Sequence, residues 1–438
     1  MDRPSDGVSY ASVQIGSSTG ESVYARTRID PPFPAISGDF APRAFIISAH
    51  IIKARLMTAA PRPLTDTPPG ILPAQEIAAL VEQGVITPAR PLAPRQIQPA
   101  SLDLRLGEKA YRVRASFLPG PGEPVSRKLD SLKLHEIDLR DGAVLETGCV
   151  YLVPLLESLT LPPGLAAAAN PKSSTGRLDV FTRVITDGAV EFDQIADGYA
   201  GPLYAEISPR TFSILVRTGS RLSQLRLRQG EAAVAPDEML RLQADEGLVT
   251  VPDGSPADAI NDTRGITLSV DLVGEGPEGL VGYRAKRHSG LIDVDAVGAC
   301  DPLEFWDPVH VRGQNRIILD PDEFYILASR EAVQIPADYA AEMVPYDPLV
   351  GEFRVHYAGF FDPGFGAAEA DGAGSRAVLE VRSHEVPFIL EHGQIIGRLV
   401  YEHMTARPAS LYGQELGSNY QRQGLKLSKH FAVPGRSR

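Results

Sequence analysis

The sequence predicts an all-β chain made of two tandem barrels of jelly-roll type with a few short helices. Three observations predict it. Apolar and β-branched runs are short, as at 101–106, 150–155 and 211–217, and turn residues separate them, 40 Gly and 37 Pro in 438 residues; such runs read as the strands of sandwiches and barrels. The chain also repeats itself: Leu145, Tyr151, Glu157, Pro162, Pro171, Glu206, Gly219 and Leu225 recur as Leu319, Tyr325, Glu331, Pro336, Pro345, Glu380, Gly393 and Leu399, each 174 residues on. A constant offset of domain size across a strand-rich run implies duplication of one fold.

In order, residues 1–60 are rich in Ser, Gly and Pro and show no sustained period, which predicts a disordered extension ending near Met57. The clearest helix is 72–83: Pro73 suits its first turn, Ile77, Leu80 and Val81 form an apolar stripe, and Gly84 can end it. The first barrel is expected over 61–252 and the second over 264–438, joined by the turn-rich stretch 253–263. Ser101-Leu102-Asp103-Leu104 in the first half has an echo, Ser269-Val270-Asp271-Leu272, in the second.

A net charge of −12 argues against a surface that coats nucleic acid. No run of 18 apolar residues predicts a membrane helix. Cys149 and Cys300 are the only cysteines. Two in so long a chain form no disulfide framework, so a reducing cytoplasm is the expected setting.

Chemistry concentrates at 170–206. Asn170-Pro171-Lys172-Ser173-Ser174-Thr175-Gly176-Arg177 places two adjacent hydroxyls between two cations, a grip for phosphate oxygens. Asp197-Gly198-Tyr199-Ala200-Gly201 is a turn that feeds a strand carrying Glu206, and a buried carboxylate there can move protons. The second copy differs: Tyr346-Asp347-Pro348-Leu349-Val350-Gly351 replaces the cationic loop, and Asp347 would repel a triphosphate.

Lys172-Ser173-Ser174-Thr175-Gly176-Arg177, Gly198-Tyr199-Ala200-Gly201, Ala205-Glu206-Ile207 and Gln98-Pro99-Ala100-Ser101-Leu102-Asp103-Leu104-Arg105-Leu106-Gly107 together resemble the dCTP deaminase branch of the dUTPase-like superfamily. With the repeat, the resemblance spans roughly 71–431. It implies two dUTPase-like distorted jelly-roll barrels and the hydrolytic conversion of dCTP to dUTP and ammonia. In that reading Glu206 shuttles protons, Ser173 and Arg177 fix the attacking water and stabilise charge, and Lys172 and Ser174 hold phosphates bridged by Mg²⁺. Asp193 or Asp197 stands for the family's aspartate, spacing leaving both open, and Tyr199 and Gln423 complete the substrate contacts. Gln423 belongs to Tyr420-Gln421-Arg422-Gln423-Gly424, which is similar to the family's closing C-terminal segment but one residue shorter; Lys426 and Lys429 follow it toward the phosphates. No Cys-x-x-Cys exists for the zinc site of other nucleobase deaminases, so the reaction is expected to need no zinc.

The family builds its site between barrels of a trimer, which implies a homo-oligomer with threefold or pseudo-threefold packing, and dTTP as a regulator. A composite site is the alternative, with the first copy's loop facing Glu380 and Asp362 of Phe361-Asp362-Pro363-Gly364-Phe365. The compact flank Gly201-Pro202-Leu203-Tyr204-Ala205 favours Glu206, whereas 366–375 interrupts the approach to Glu380. Competing functions are a dUTP diphosphatase, a bifunctional deaminase–diphosphatase and a non-catalytic nucleotide-binding barrel.

Overall fold

The computed structural model describes residues 67–252, 254, 265–274, 276, 278–311, 313–345, 353–355, 359–370, 372–383, 385–413 and 420–433. All belong to the unit Ala59–Arg438. The expected extension 1–60, the linker 255–263 and the loop 346–351 lie outside the described residues.

The N-terminal helix forms as Ala74–Glu82 (α1). Pro73 is its N-cap, with extended backbone at φ −77°, ψ 166°, and Ile77 and Leu80 turn into the core. Gly84 leaves the helix at φ +74°, a conformation that costs glycine little.

Strands then alternate between two antiparallel sheets per barrel. In the first, β1 (Leu102–Leu104), β3 (Leu165–Pro171) and β7 (Ser223–Gln229) share one sheet, while β2 (Val150–Thr160), β5 (Ala200–Pro209) and β4 (Val180–Thr186) lie side by side in the other. A single turn of helix, α2 (Ser173–Gly176), connects β3 to β4, and β6 (Ile214–Val216) precedes β7. The second barrel repeats the plan. Its β8 (Ile266–Ser269), β13 (Ile395–His403), β10 (Tyr339–Pro345) and β11 (Phe360–Phe361) follow one another in one sheet, and β9 (Phe324–Val333) pairs with β12 (Ser375–Ser383) in the other. The repeat holds at single bonds. Tyr151 Oη accepts from the Glu146 amide at 3.0 Å, and Tyr325 Oη from the Asp320 amide at 3.2 Å. Glu206 lies opposite Leu152, and Glu380 opposite Ile326.

The expected barrel boundary moves. Helix α3 (Pro236–Glu246) and strand Val249–Thr250 follow β7, and the strand pairs with β9. Val234, Met239, Leu248 and Val249 are buried with Leu268, Tyr325 and Leu399 in the second barrel's core. The 234–250 stretch, expected in the first barrel, is therefore the opening of the second: its apolar residues find their partners there.

The barrels share a core. β6 pairs in parallel with Ile292–Asp293 of the second half. Trp306, fully buried, meets Phe212 edge-on at 5.3 Å and Phe431 at 5.9 Å. Each such aromatic side chain contributes a few kcal/mol by burial and about 0.5–1.5 kcal/mol more per edge contact. That apolar seam fixes the cleft described next.

Candidate active site between the barrels

The cleft has a volume of about 410 Å³ and draws its walls from both halves. Its floor is the α2 loop. Lys172, still extended at φ −66°, ψ 143°, accepts from the amides of Thr175 at 2.7 Å and Gly176 at 3.0 Å. The Lys172 amide donates to Leu222 O at 2.9 Å, anchoring the loop to the residue just before β7. This tight turn presents Lys172, Ser173, Ser174 and Arg177 to one space.

One end is cationic. Lys172 pairs with buried Asp103, and Arg221 approaches the same carboxylate at 3.3 Å. Lys429 also lines this end, and burial, aided by Lys172, holds its ammonium below the usual lysine range. Arg95 and Asp295 complete the rim. Four cations against two carboxylates suit a polyanion.

The other end holds Arg177 and Glu380. The Arg177 side chain is almost fully buried. Its Nη2 donates to Gln423 Oε1 at 3.1 Å, its Nη1 to Lys426 O at 3.0 Å, and its guanidinium lies 3.9 Å from the Tyr420 ring centroid. Its Nε has no hydrogen-bond partner among the described residues and sits 3.8 Å from Glu380 Oε1. Glu380 projects from β12, where burial pushes its carboxyl up to about 7 against the pull of Arg177. Asp362, just past β11, is raised by burial to about 6, with Arg226 at 3.6 Å.

The first barrel therefore supplies Lys172, Ser173, Ser174 and Arg177, and the second supplies Glu380, Asp362, Tyr420 and Gln423. Within one chain the loop therefore faces Glu380 and Asp362 of the second barrel. Glu206 is elsewhere: Arg183 Nη2 donates to its Oε1 at 2.6 Å and to Ser116 Oγ at 2.9 Å. Asp193 accepts from the Val184 amide at 2.7 Å, and burial raises it to about 7. Asp197 is exposed and accepts from the Gly164 amide at 2.8 Å. Tyr199 Oη donates to Pro202 O at 2.7 Å. Glu206, Asp193, Asp197 and Tyr199 do not line the cleft. They organise the turn and strand of their own barrel, whereas the loop faces the other barrel's strand. The excursion before Glu380 does not disrupt it either: Gly372 donates to Ala367 O at 2.8 Å and Gly374 to Gly366 O at 2.9 Å, so the insertion folds back on itself.

Arg221, Arg226 and Tyr412 escaped the sequence reading. Arg226 is buried, donating to Ala341 O at 3.1 Å, Phe361 O at 3.2 Å and Glu402 at 3.0 Å, and so clamps the turn that carries Asp362. A signal existed. In Gln224-Leu225-Arg226-Leu227-Arg228 the leucines and the polar residues alternate, which puts Gln224 and Arg226 on one face away from their own core.

Residues 68–231 match the N-terminal domain model of 2'-deoxycytidine 5'-triphosphate deaminase, and residues 235–431 match its C-terminal domain model. The crystal structure of 2'-deoxycytidine 5'-triphosphate deaminase from Agrobacterium tumefaciens is similar at 64% identity and a TM-score of 0.73, covering 77% of this chain and 99% of that one.

Proposed function

The chain belongs to the 2'-deoxycytidine 5'-triphosphate deaminase family, and from that premise we propose how its own side chains carry the reaction. It is a hydrolytic deaminase that converts dCTP and water to dUTP and ammonia. The observation that carries the residue assignment is the pairing of Arg177 with Glu380 across the barrels at 3.8 Å, inside a cleft whose far end is cationic.

Deamination adds water oxygen to C4 of cytosine and expels the exocyclic amine. Glu380, ionised, takes a proton from the water as its oxygen bonds to C4. It passes that proton to ring N3, and N3 protonation lets C4 become tetrahedral without a carbanion-like charge. The new C4 hydroxyl then gives its proton, through the same carboxylate, to the amine; the C4–N bond breaks and the carbonyl of dUTP forms. A carboxyl raised to about 7 is matched to both directions of transfer near neutral pH. Ser173 and Arg177 orient the water and stabilise the tetrahedral intermediate. Arg177 is itself held by Gln423 and Tyr420, so it needs no reorganisation at the moment of reaction.

Lys172, Ser174, Arg221 and Lys429 grip the triphosphate, and Asp362 with its turn bounds the sugar and base. Mg²⁺ would be held with the substrate triphosphate at the cationic end, where Asp103 and Asp295 are the carboxylates, and would offset phosphate charge. The reaction is proposed to need no zinc because the sequence holds no Cys-x-x-Cys pair for the zinc site of other nucleobase deaminases. dTTP shares the triphosphate and sugar but carries no amine, so it fits the pocket as an inhibitor. Threefold or pseudo-threefold packing of barrels and a cytoplasmic setting follow the resemblance. No helix among the described residues is long and apolar enough to cross a membrane.

Incubation with dCTP, dCMP and dUTP, with ammonia and pyrophosphate assayed separately, tests this. Ammonia from dCTP alone, without pyrophosphate, is expected. Pyrophosphate from dUTP would make the enzyme a diphosphatase as well, and no ammonia from dCTP would refute the assignment.

A further inference from the structure

A second pair of opposite charges crosses the barrel boundary two residues beyond the first. On the α2 side Arg177 is followed by Asp179; on β12 Glu380 is followed by Arg382. Arg382 Nη2 pairs with Asp179 Oδ2 and contacts Thr211 Oγ1 at 3.0 Å, and Thr211 Oγ1 in turn donates to Asp179 Oδ2 at 2.5 Å. Both ionic side chains are buried, at 7% and 2% exposure. Arg382 Nη1 also donates to Asp322 O, and the guanidinium lies 5.9 Å from the Phe324 ring centroid.

The order of charges is reversed between the two sides. Residues two apart on a strand share a face, so Glu380 and Arg382 look toward the first barrel together. Sliding β12 by two residues would set Arg382 against Arg177, or Glu380 against Asp179, and like charges in a dry interface are repelled. Asp179 is suited to its place as well. It closes the α2 turn in the left-handed region at φ +54°, with its amide donating to Gly176 O at 2.9 Å and its carbonyl accepting from Arg210 at 2.9 Å. Asp tolerates that conformation better than most residues. The carboxylate is therefore fixed to the loop that carries Ser173 and Arg177, while Arg382 is fixed to the strand that carries Glu380.

We propose that Asp179 and Arg382 are positioning residues that set the register of the loop against β12, and with it the separation of Arg177 and Glu380. They touch neither substrate nor the reacting atoms. The role rests on the assignment of Glu380 as the proton carrier. The charged or titratable groups acting on Glu380 are Arg177 and Tyr420. Loss of register weakens the pull of Arg177, so the Glu380 carboxyl holds its proton to higher pH.

The test compares Asp179→Asn/Arg382→Met with Arg382→Lys and Glu380→Gln in the full chain. The double variant removes both charges at once, leaves no lone buried ion, and keeps a residue that accepts a left-handed backbone. The expected result is a cooperative melt, kcat lower by about a hundredfold as a misplacement near 1 Å produces, KM for dCTP within about threefold, and an acid limb of kcat/KM moved up by about half a pH unit or more. Arg382→Lys, which keeps the ion pair, should recover most of kcat. A merely structural role would lower the amount of active enzyme equally at every pH and leave the limb in place, and that result overturns the proposal. So does a double variant with wild-type kcat while Glu380→Gln is inactive. If Glu380→Gln itself is fully active, the assignment of Glu380 fails, and the positioning role fails with it.

Discussion

Glu380 and Glu206 occupy one position in a repeated fold and have opposite surroundings. Glu206 is neutralised from within its own sheet. Arg183 is its direct cross-strand neighbour on β4, donates to it at 2.6 Å, and is stacked 3.4 Å from the Phe192 ring centroid. Glu380 meets a cation that arrives from the other barrel, at 3.8 Å, with no hydrogen bond between them. A short charge-assisted bond occupies the Glu206 carboxylate, whereas burial without such a bond raises the Glu380 carboxyl to about 7. The copies differ accordingly: the first carries the Lys-Ser-Ser loop, and the second carries the carboxylate that lines the cleft.

The sharpest way to break this comparison is to remove the carboxyl's acidity at each site. Glu380→Gln should lower turnover by about two to four orders of magnitude, the usual weight of a general acid–base group, while dCTP still binds through the cationic end. Glu206→Gln should keep turnover within about threefold. Exchanged phenotypes in a steady-state ammonia assay would return the chemistry to Glu206.

The two arginines give the next largest contrast. Arg177→Met should cost about a hundred- to a thousandfold in kcat, as the loss of a preorganised charge stabiliser does. Arg183→Met should leave kcat nearly unchanged but destabilise the fold by about 3–5 kcal/mol, because it leaves the Glu206 side chain, 3% exposed, as a buried ion without its partner. Denaturant melts beside kinetics separate the two effects; a kinetic loss in Arg183→Met without a stability loss would contradict the comparison.

A smaller effect concerns stability against pH. The folded state raises the Glu380 carboxyl from 4.5 to about 7, so it binds a proton more tightly than the unfolded chain does. Its ionisation therefore costs stability, and the cost grows as pH rises from about 4.5 through 7. Glu380→Gln should be more stable than the parent by about 3 kcal/mol at pH 8, with most of that gain gone by pH 5. Equal melts at pH 8 would show that burial does not raise the carboxyl. If Glu380 is the base, the acid limb of activity is expected near the same pH, as its ionised form is lost below about 7.

Much of this was legible in the chain. The 174-residue offset located both carboxylates, and the helix expected over 72–83 forms as Ala74–Glu82, with Pro73 at its N-cap rather than in its first turn. The Lys172–Arg177 loop was readable because its residue types suit phosphate and a developing charge. Which carboxylate the loop meets was not readable. The compact flank of Glu206 describes only its own strand, while the choice depends on which strand of which barrel faces α2. Arg183 neutralises Glu206 only because antiparallel pairing sets residues 183 and 206 opposite each other, and that is known once register is known. The barrel boundary was missed for a related reason: the turn-rich stretch marks where backbone can loop, whereas the buried partners of Val234 and Met239 decide to which barrel a segment belongs.

The central claim is that one chain carries a complete site between its own barrels. Chain mixing tests it most directly. Arg177→Met and Glu380→Gln, each inactive, are unfolded together, refolded and assayed for ammonia release from dCTP. A site built within each chain predicts a mixture no more active than its two parts. Recovery toward a quarter of wild-type turnover would mean that the loop of one chain meets the carboxylate of another, and would contradict the account.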